Sequence, residues 1–386
     1  MTASGRPQRI RVLSLCPELE AGGAARQLEH FCRFADRDRL DLRVIYYVKP
    51  AHARTNLADL GVPVTFLDQQ QLGPWHLLKA LRREIKGWRP DVLDCRLPSG
   101  YRFGRLAALG AGVPVLVAEQ RSCIRDAGPR RWFDLAANRW TDAWVGNSKA
   151  VAEHIHEHLH VPRERIHLIY NGVDVDHFRS AAGHESLAGL RAEGRRVVLN
   201  VGGLRPVKNQ ALFLRVADKL RQRFPELVFA FCGDGSERPA LESLARDLDL
   251  TGLCRFLGYQ EDVAPVLAAA DLVLQTSDTE GLPNAVMEAM AAGVPTVSTD
   301  AGGTRELIED RAGGLLAPVG DEAALVTRAS EVLADAALAR RLSEESLRRI
   351  IAQFSMQAMT AAYAELFEQL VARKRGLAAG DGGARP

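Results

Sequence analysis

Two glutamates lie on either side of a predicted helix start, Glu280 in a loop and Glu288 about one turn or more into the helix. The turn Gly281-Leu282-Pro283-Asn284 leads into that helix, because proline is tolerated in a first turn and Ala285 to Ala292 are mostly good helix formers. Free backbone N–H groups and the positive end of the helix dipole favour an anion there, while carboxylates accept hydrogen bonds from hydroxyls. The spacing therefore suits a sugar joined to a diphosphate.

Taken alone, the two glutamates also fit solvated charges at a helix end. The surrounding motifs favour the functional interpretation. The span from Glu280 to Pro295, followed by Thr299 to Leu307, resembles the retaining nucleotide-sugar glycosyltransferases of the glycogen-synthase and sucrose-synthase type, which are glycosyltransferase family 4-like. Their signature is a glutamate, seven residues and a second glutamate. Further motifs match the same family in the same order: Asn171 to Asp174 with Phe178, Val201 to Asn209, Cys232 to Gly235, Leu257 to Tyr259, and Ala270 to Leu274.

The resemblance implies a role for each matching residue. Glu280 would hold the hydroxyls of the donor sugar and Glu288 the ribose hydroxyls of the nucleotide. Lys208, with Arg205 and the helix start near Asn284, would stabilise the departing diphosphate. The acceptor proton would pass to a phosphate oxygen, so no dedicated protein base is needed. No metal-binding motif is visible, and we predict no metal and no cofactor besides the nucleotide-diphosphate sugar as donor substrate.

Three positions depart from the family pattern. Gly203 stands where relatives carry an arginine, and Arg205 either takes over that role or faces solvent. Ala25 replaces an acidic residue. Gln120 follows a strand where relatives carry a histidine near the donor sugar, and it either contacts the ligand or is a structural polar residue at a strand end.

Four further residues are candidates on the acceptor side. Gly22 and Gly23 close the first strand–helix turn, where they would let the backbone approach the donor phosphate, although glycine pairs are also common in plain turns. Arg96 follows another predicted strand. Asn171 begins the turn that resembles the interdomain turn of the family.

Length and composition agree with a two-domain enzyme. The chain has 386 residues, too many for one ordinary core, and 50 basic against 48 acidic residues leave a net charge of +2. This balance argues against a dedicated nucleic-acid binder. Six scattered cysteines suggest neither a zinc site nor disulfides and fit a reducing cytosol. The polar N-terminus and the lack of a long apolar run predict a cytoplasmic protein, either soluble or peripheral at the cytoplasmic membrane face.

Predicted strands and helices alternate through both halves, which predicts an α/β fold of two doubly wound Rossmann-like sheets. The resemblance makes this the glycosyltransferase B fold, with ligands in a cleft at the carboxyl ends of the strands. We place an acceptor-side domain at 1–183 and a nucleotide-sugar domain at 184–355, since small and polar residues break the periodicity between Phe178 and Arg195. A helix over 356–375 crosses back to the first domain, and 376–386 is predicted to be disordered. The predicted strands are Arg9 to Cys16, Leu42 to Val48, Val62 to Leu67, Asp91 to Asp94, Val113 to Ala118, Trp144 to Asn147, Val197 to Val201, Leu227 to Cys232, Arg255 to Leu257, Leu272 to Gln275 and Thr296 to Thr299.

Two groups of residues, one of histidines and one of arginines and aromatic residues, each allow two interpretations. Histidines 154, 156, 158 and 160 contain i, i+4 pairs that fit a metal, but their alternate spacing favours a solvated helix face. Between Arg121 and Trp140, arginines alternate with aromatic residues. That pattern fits either peripheral contact with the inner membrane and a lipid-linked acceptor, or a helix with aromatic residues in the core and solvated arginines.

The sequence thus predicts a hexosyltransferase-type retaining glycosyltransferase that acts on a nucleotide-sugar donor and a glycan or lipid-linked acceptor. Bacterial surface-polysaccharide or lipid-linked glycan assembly is the setting that the resemblance implies. One alternative is a non-catalytic sugar-nucleotide-binding pseudo-enzyme, for which Gly203, Ala25 and Gln120 are the evidence. Another is a sugar-nucleotide epimerase or a phosphorylase on the same fold.

Overall fold

The structure, a computed structural model, describes residues 8–19, 23–49, 61–123 and 128–380. It forms two compact units: one contains the chain up to Gly172 and again from Met356, and the other runs from Val173 to Ser355. The division at Gly172 lies before the predicted boundary at Gly183. The short helix Val175–Ser180 accounts for the difference, because it packs against helices of the second unit.

The first unit has a seven-stranded parallel sheet in the order β3-β2-β1-β4-β5-β6-β7. Its strands are β1 (Ile10–Leu15), β2 (Leu40–Tyr46), β3 (Val64–Phe66), β4 (Val92–Arg96), β5 (Val115–Gln120), β6 (Ala143–Gly146) and β7 (Ile166–Leu168). Its helices are α1 (Gly23–Phe34), α2 (Gln69–Trp88), α3 (Leu97–Ala108), α4 (Pro129–Ala137), α5 (Lys149–Leu159) and the last helix of the chain, α15 (Met356–Gly380).

The second unit has a six-stranded parallel sheet in the order β10-β9-β8-β11-β12-β13. Its strands are β8 (Arg196–Val201), β9 (Leu227–Cys232), β10 (Cys254–Phe256), β11 (Leu272–Gln275), β12 (Thr296–Thr299) and β13 (Leu315–Ala317). Its helices are α6 (Val175–Ser180), α7 (Glu185–Ala192), α8 (Gln210–Arg223), α9 (Arg238–Asp247), α10 (Ala264–Ala268), α11 (Asn284–Ala291), α12 (Thr304–Leu307), α13 (Glu322–Ala334) and α14 (Ala336–Gln353).

Both sheets are buried on two faces, which explains their apolar strands. All six residues of β9, for example, are buried. In the first unit one core lies under α1 and α15 and another under α2, α3 and α5. The strand order reverses between β1 and β4 and again between β8 and β11. The prediction of two doubly wound parallel sheets is therefore confirmed.

The last helix packs against the first one within the first unit. The ring of Phe31 lies 5.1 Å from that of Tyr363 and 6.4 Å from that of Phe367, measured between centroids. Arg39 and Glu368 add an ion pair of 2.7 Å. The helix continues to Gly380, so part of the segment that we predicted to be disordered is helical, and the remaining residues, 381–386, lie outside the described part of the chain.

Four charged side chains are buried at the carboxyl ends of β4 and β5. Arg96 Nε donates to Asp94 Oδ2 at 2.9 Å, and Arg96 Nη2 lies 3.3 Å from Glu119 Oε1, an ion-pair contact without hydrogen-bond geometry. Arg121 Nη2 donates to Glu119 Oε2 at 2.7 Å and to the Tyr363 hydroxyl at 3.1 Å. Two cations thus face two carboxylates in a region almost free of solvent, and they connect α15 to the strand ends.

The two carboxyl groups of this network differ in pKa. Burial raises the pKa of Asp94 to about 7 against the lowering effect of Arg96, and the nearby Glu119 carboxylate raises it further. Burial also acts to raise the pKa of Glu119, but Arg96 and Arg121 outweigh it and hold that pKa below its ordinary value. Asp94 is therefore the carboxyl group that keeps its proton to the higher pH, and Glu119 is the one that ionises first.

This difference gives a testable pH dependence. The folded pKa of Asp94 lies above its ordinary value of 3.8, so between about pH 4 and 7 the folded chain keeps a proton that the unfolded chain has lost. The stability that Asp94 contributes falls as pH rises through that window, while the lowered pKa of Glu119 acts only below 4.5. Asp94→Asn keeps a neutral group, so we expect its melting temperature to rise relative to wild type between pH 5 and pH 8. Calorimetry that finds a constant difference would refute this assignment.

Candidate functional site

The candidate site lies where the strand order of the second sheet reverses. Strands β8 and β11 are neighbours there, with Leu272 opposite Val198 in a parallel register. The loop 202–209 follows β8 and the loop 276–283 follows β11, so both leave the sheet at its carboxyl edge. In open α/β sheets this reversal opens a crevice in which ligands bind.

Lys208 and Glu280, one from each loop, form an ion pair at this edge. Lys208 Nζ lies 2.5 Å from Glu280 Oε1, and Ser277 Oγ donates to the same oxygen at 2.7 Å. The side chains remain 25% and 14% exposed. Glu280 Oε2 carries no hydrogen bond from any described residue, and a lysine ammonium has two N–H donors left after one bond. The pair therefore keeps free hydrogen-bonding groups of both signs open to a ligand.

Glycines allow the surrounding backbones to approach this pair. Gly302, with φ +55°, lies so close to the carbonyl of Glu280 that a β-carbon on it would be 1.9 Å from that oxygen. The N–H of Gly303 donates to the carbonyl of Gly281 at 2.8 Å. In the turn after β9, a β-carbon on Gly235 would be 2.3 Å from the carbonyl oxygen of Leu204, which belongs to the loop that carries Lys208. These contacts fix the backbone that carries Glu280 and the backbone that precedes Lys208.

Arg205 lies over the position left open by Gly203. A β-carbon built on Gly203 would be 3.5 Å from Arg205 Nε and 3.8 Å from its Cδ. The side chain of Arg205 is exposed and makes no hydrogen bond or ion pair with the described residues. Its guanidinium is therefore available near residue 203, the position at which the resemblance led us to expect an arginine.

Helix α11 begins at Asn284, as predicted. Pro283 is its N-cap and provides no side-chain hydrogen bond to the first turn. Glu288 lies one turn into the helix and is only 5% exposed, while Gly281, Leu282 and Pro283 are also buried. The loops that follow the neighbouring strands β8 and β11 thus bring Lys208, Glu280 and the start of α11 to the same edge of the sheet.

Most of the candidate binding residues of the first unit are buried rather than open to a ligand. Gly22 lies outside the described residues, and Gly23 is the first residue of α1. Arg96, which we predicted to bind substrate, is only 1% exposed. Its guanidinium forms ion pairs with Asp94 and Glu119, as a buried cation must to offset its desolvation. This placement favours a structural role for Arg96, and the substrate contact stays a prediction.

Two more predicted contacts in the first unit are buried among protein groups. Asn171 is 4% exposed and accepts a hydrogen bond from Arg121 Nη1 at 2.7 Å. Gln120 is 3% exposed and donates from Nε2 to the carbonyl of Ser122 at 2.9 Å. Of the two interpretations of Gln120, the structure favours the polar residue at a strand end.

The histidine cluster forms no metal site in the described residues, where no three potential ligands come together. The rings of His154 and His158 are stacked 4.4 Å apart, and His156 Nδ1 lies 2.9 Å from the carbonyl oxygen of Val161. His154 is buried rather than part of a solvated face.

The basic and aromatic segment divides into two parts. Arg121 belongs to the buried network, whereas Trp132 on α4 is 73% exposed beside the exposed Arg130 and Arg131. Arg139 lies over the Trp140 ring at 4.6 Å from its centroid. These tryptophans are therefore not core residues. No helix among the described residues is long and apolar enough to cross a bilayer.

Sequence reasoning missed the residues that join the two loops. Thr276, Ser277 and Asp278 follow β11 directly, and each contacts the Lys208 loop or Glu280. The available signal was their position, because polar residues after a buried strand of a parallel sheet lie at its carboxyl edge.

Two family comparisons match separate parts of the sequence. The family described as Glycosyltransferase Family 4 matches residues 21–177, and the family described as Glycosyl transferases group 1 matches residues 185–349. Together they include most of the chain and both units.

Individual proteins that are similar to this chain belong to the same kind of enzyme by their names. A lipopolysaccharide core biosynthesis glycosyltransferase, LpsE of Rhizobium meliloti, is 38% identical over 37% of this chain and 42% of its own length, so the match spans less than half of that relative. A UDP-Gal:alpha-D-GlcNAc-diphosphoundecaprenol alpha-1,3-galactosyltransferase of Escherichia coli is 25% identical over 77% of this chain and 80% of its own length. The crystal structure of Anabaena HepE in complex with UDP and glucose has a TM-score of 0.81 at 22% identity and covers 94% of this chain and all of HepE. That likeness shows the fold, which is the glycosyltransferase B fold that the sequence predicted.

The close approach at Gly302 can be tested against a matched glycine. Gly302→Ala should shift the Glu280 backbone, and we expect a loss of unfolding free energy of about 3 kcal/mol or more. Gly320 also has a positive φ, +77°, but nothing lies within 4 Å of its added β-carbon. Gly320→Ala should lose only about 1 kcal/mol from backbone strain. Equal losses for the two variants in chemical denaturation would contradict the packing of Gly302 on Glu280.

Proposed function

Because this chain belongs to the glycosyltransferases, with a Family 4 domain followed by a group 1 domain, we propose that it transfers a sugar from a nucleotide-diphosphate donor to an acceptor hydroxyl with retention of configuration. The observation that supports this most directly is the Lys208–Glu280 pair at the strand-order reversal of the second unit. A cation and an acid at that edge match the two chemical parts of a sugar diphosphate.

Lys208 binds the diphosphate in this proposal. Its ammonium exchanges part of its contact with Glu280 for phosphate oxygens, and the positive end of the α11 dipole favours the same anion. Charge that develops on the leaving group is therefore stabilised by groups already in place. We propose that these groups neutralise the leaving diphosphate without a metal.

Glu280 and Glu288 bind the hydroxyl-bearing parts of the donor. Glu280 Oε2 is the oxygen left without a partner, and it accepts from donor-sugar hydroxyls while Ser277 holds Oε1 at 2.7 Å. Glu288, deeper in α11, holds the ribose hydroxyls. With donor phosphate and acceptor on the same face of the sugar, a phosphate oxygen takes the acceptor proton, and the transfer proceeds with retention.

Arg205 bears on the alternative of a pseudo-enzyme. One of the three departures that support that alternative is Gly203 in place of an arginine, but Arg205 Nε lies 3.5 Å from the β-carbon position of residue 203. We propose that Arg205 supplies the second phosphate-binding cation from two residues further along. A planar guanidinium can bind two phosphate oxygens at once, which an ammonium does not do as well.

The acceptor is proposed from relatives and from α4. One relative is named for lipopolysaccharide core biosynthesis and another for a diphosphoundecaprenol acceptor. The exposed Trp132, flanked by Arg130 and Arg131, is suited to an interface where anionic head groups meet acyl chains. We therefore propose that the enzyme acts in surface-polysaccharide or lipid-linked glycan assembly, as a cytoplasmic protein in peripheral contact with the membrane.

Activity tests the donor site. With a panel of nucleotide sugars and lipid or glycan acceptors, in buffer containing EDTA, we expect release of nucleoside diphosphate that depends on both substrates. Lys208→Ala and Glu288→Ala should each lose at least about tenfold in kcat/KM, about 1.4 kcal/mol, with Arg205→Ala losing less because it is exposed. Lys219→Ala, an exposed lysine of α8, is the control and should leave kcat/KM unchanged.

Three results would contradict the proposal in different ways. Tight donor binding without turnover on any acceptor would support the pseudo-enzyme. Unchanged kinetics in Lys208→Ala or Glu288→Ala would remove that residue from the site. A requirement for added metal would refute neutralisation by protein groups alone.

Membrane contact is tested with vesicles. We expect the protein to sediment with vesicles that contain anionic lipid and not with purely zwitterionic ones, since arginines flank the exposed tryptophan. Trp132→Ala should weaken this binding about fivefold or more. Ile351→Ala removes an exposed apolar side chain of the second unit and should have no effect. Equal binding of wild type and Trp132→Ala would exclude α4 as the contact surface.

A further inference from the structure

The two loops of the donor site are joined by contacts other than the Lys208–Glu280 pair. Thr276 Oγ1 lies 3.1 Å from the carbonyl oxygen of Lys208 and 3.0 Å from that of Asn209. The N–H of Asp278 donates to the carbonyl of Val207 at 2.9 Å, and Asn209 Nδ2 donates to Asp278 Oδ1 at 2.9 Å. We refer to these contacts of Thr276, Asp278 and Asn209 as the loop latch.

Thr276 is the buried part of the latch. It is 0% exposed and directly follows β11, so its hydroxyl proton can be donated only to protein groups, and the two carbonyl oxygens share it. Among the described residues, no backbone N–H donates to the Lys208 carbonyl, whereas Asn209 also accepts from the N–H of Leu212 at 3.0 Å. Because this hydroxyl is buried and donates to the Lys208 carbonyl, it stabilises this one conformation of the Lys208 backbone.

The backbone at this point makes a sharp turn that needs such support. Lys208 ends a short 3₁₀ segment, and Asn209 adopts a left-handed conformation with φ +47° before it caps α8. Asparagine tolerates this conformation better than other non-glycine residues, and the contacts of Asn209 with Leu212, Thr276 and Asp278 hold it there. The direction of the Lys208 side chain, which passes within 3.8 Å of the β-carbon position of Gly202, depends on this turn.

We propose that Thr276 is a positioning residue for donor binding, which acts through Lys208 by holding the lysine-bearing loop against the loop that carries Glu280. This inference rests on the proposed role of Lys208 in binding the diphosphate. In this proposal the Thr276 hydroxyl does not contact the ligand. It fixes the backbone position from which the Lys208 ammonium reaches the phosphates. Asp278, which is exposed, stabilises the same loop arrangement through Asn209.

The test measures nucleotide affinity by titration calorimetry, with UDP and GDP as probes and the tighter of the two for the variants. Thr276→Val keeps the shape and removes the hydroxyl, and we expect the Kd to rise about tenfold, while Thr276→Ser should stay within about twofold of wild type. Asp278→Ala should weaken binding in the same direction by a smaller factor, and it remains informative if the Thr276→Val protein does not fold.

A control separates positioning from general stability. Thr296 is equally buried and its hydroxyl donates to the carbonyl of Val294 at 3.1 Å, at the amino end of β12 and away from the loops. Thr296→Val should lower the melting temperature without changing the Kd. A similar loss of affinity in Thr296→Val would mean that Thr276 acts only through stability, and the proposal would be wrong.

A double-mutant cycle with Lys208→Ala decides the mechanism. If Thr276 acts through Lys208, Thr276→Val weakens binding in the wild-type chain and adds almost nothing in the Lys208→Ala background. Equal losses in both backgrounds would overturn the latch while leaving the donor site intact. If Lys208→Ala alone leaves the Kd unchanged, the proposed diphosphate role of Lys208 fails, and the latch fails with it.

Discussion

The site depends on one electrostatic contact, the ion pair of Lys208 and Glu280 across neighbouring strand ends. Each partner satisfies the other while a ligand is absent, and each retains free hydrogen-bonding capacity toward the surface. Parallel strands make this possible, because β8 and β11 end at the same edge and their loops must lie side by side. The glycines at 235 and 302 and the hydroxyl of Thr276 keep those loops at the spacing that the pair requires.

The two units use buried charge differently. In the second unit, Lys208 and Glu280 are partly exposed and their charges remain open to a ligand. In the first unit, Arg96 and Glu119 are almost fully buried and form ion pairs with each other and with Asp94 and Arg121. Such a network is costly to desolvate and stabilises only when every charge has a partner. Equivalent strand ends thus carry partly exposed charges in one sheet and buried ion pairs in the other.

Sequence patterns predicted the sheets well where every residue of a strand is apolar or buried. Strands β9, β11 and β12 are buried throughout and have the predicted bounds, whereas β7 and β13, three-residue strands that are not buried throughout, were missed. The motifs that resemble the family singled out Lys208, Glu280 and the start of α11, which the structure brings to one sheet edge, while their role in donor binding stays a prediction. The burial of Arg96 and the contacts of Thr276 could not be predicted from the sequence. Both depend on tertiary packing, which a local sequence pattern does not contain.

A crystal structure with the intact donor sugar nucleotide tests the central claim most directly. We expect the diphosphate within hydrogen-bond distance of Lys208 Nζ and of the first N–H groups of α11, with sugar hydroxyls on Glu280 and ribose hydroxyls on Glu288. The Lys208–Glu280 contact should lengthen as the lysine turns to the phosphates. A donor bound elsewhere in the molecule, or an unchanged ion pair with no ligand beside it at saturating donor, would contradict the account.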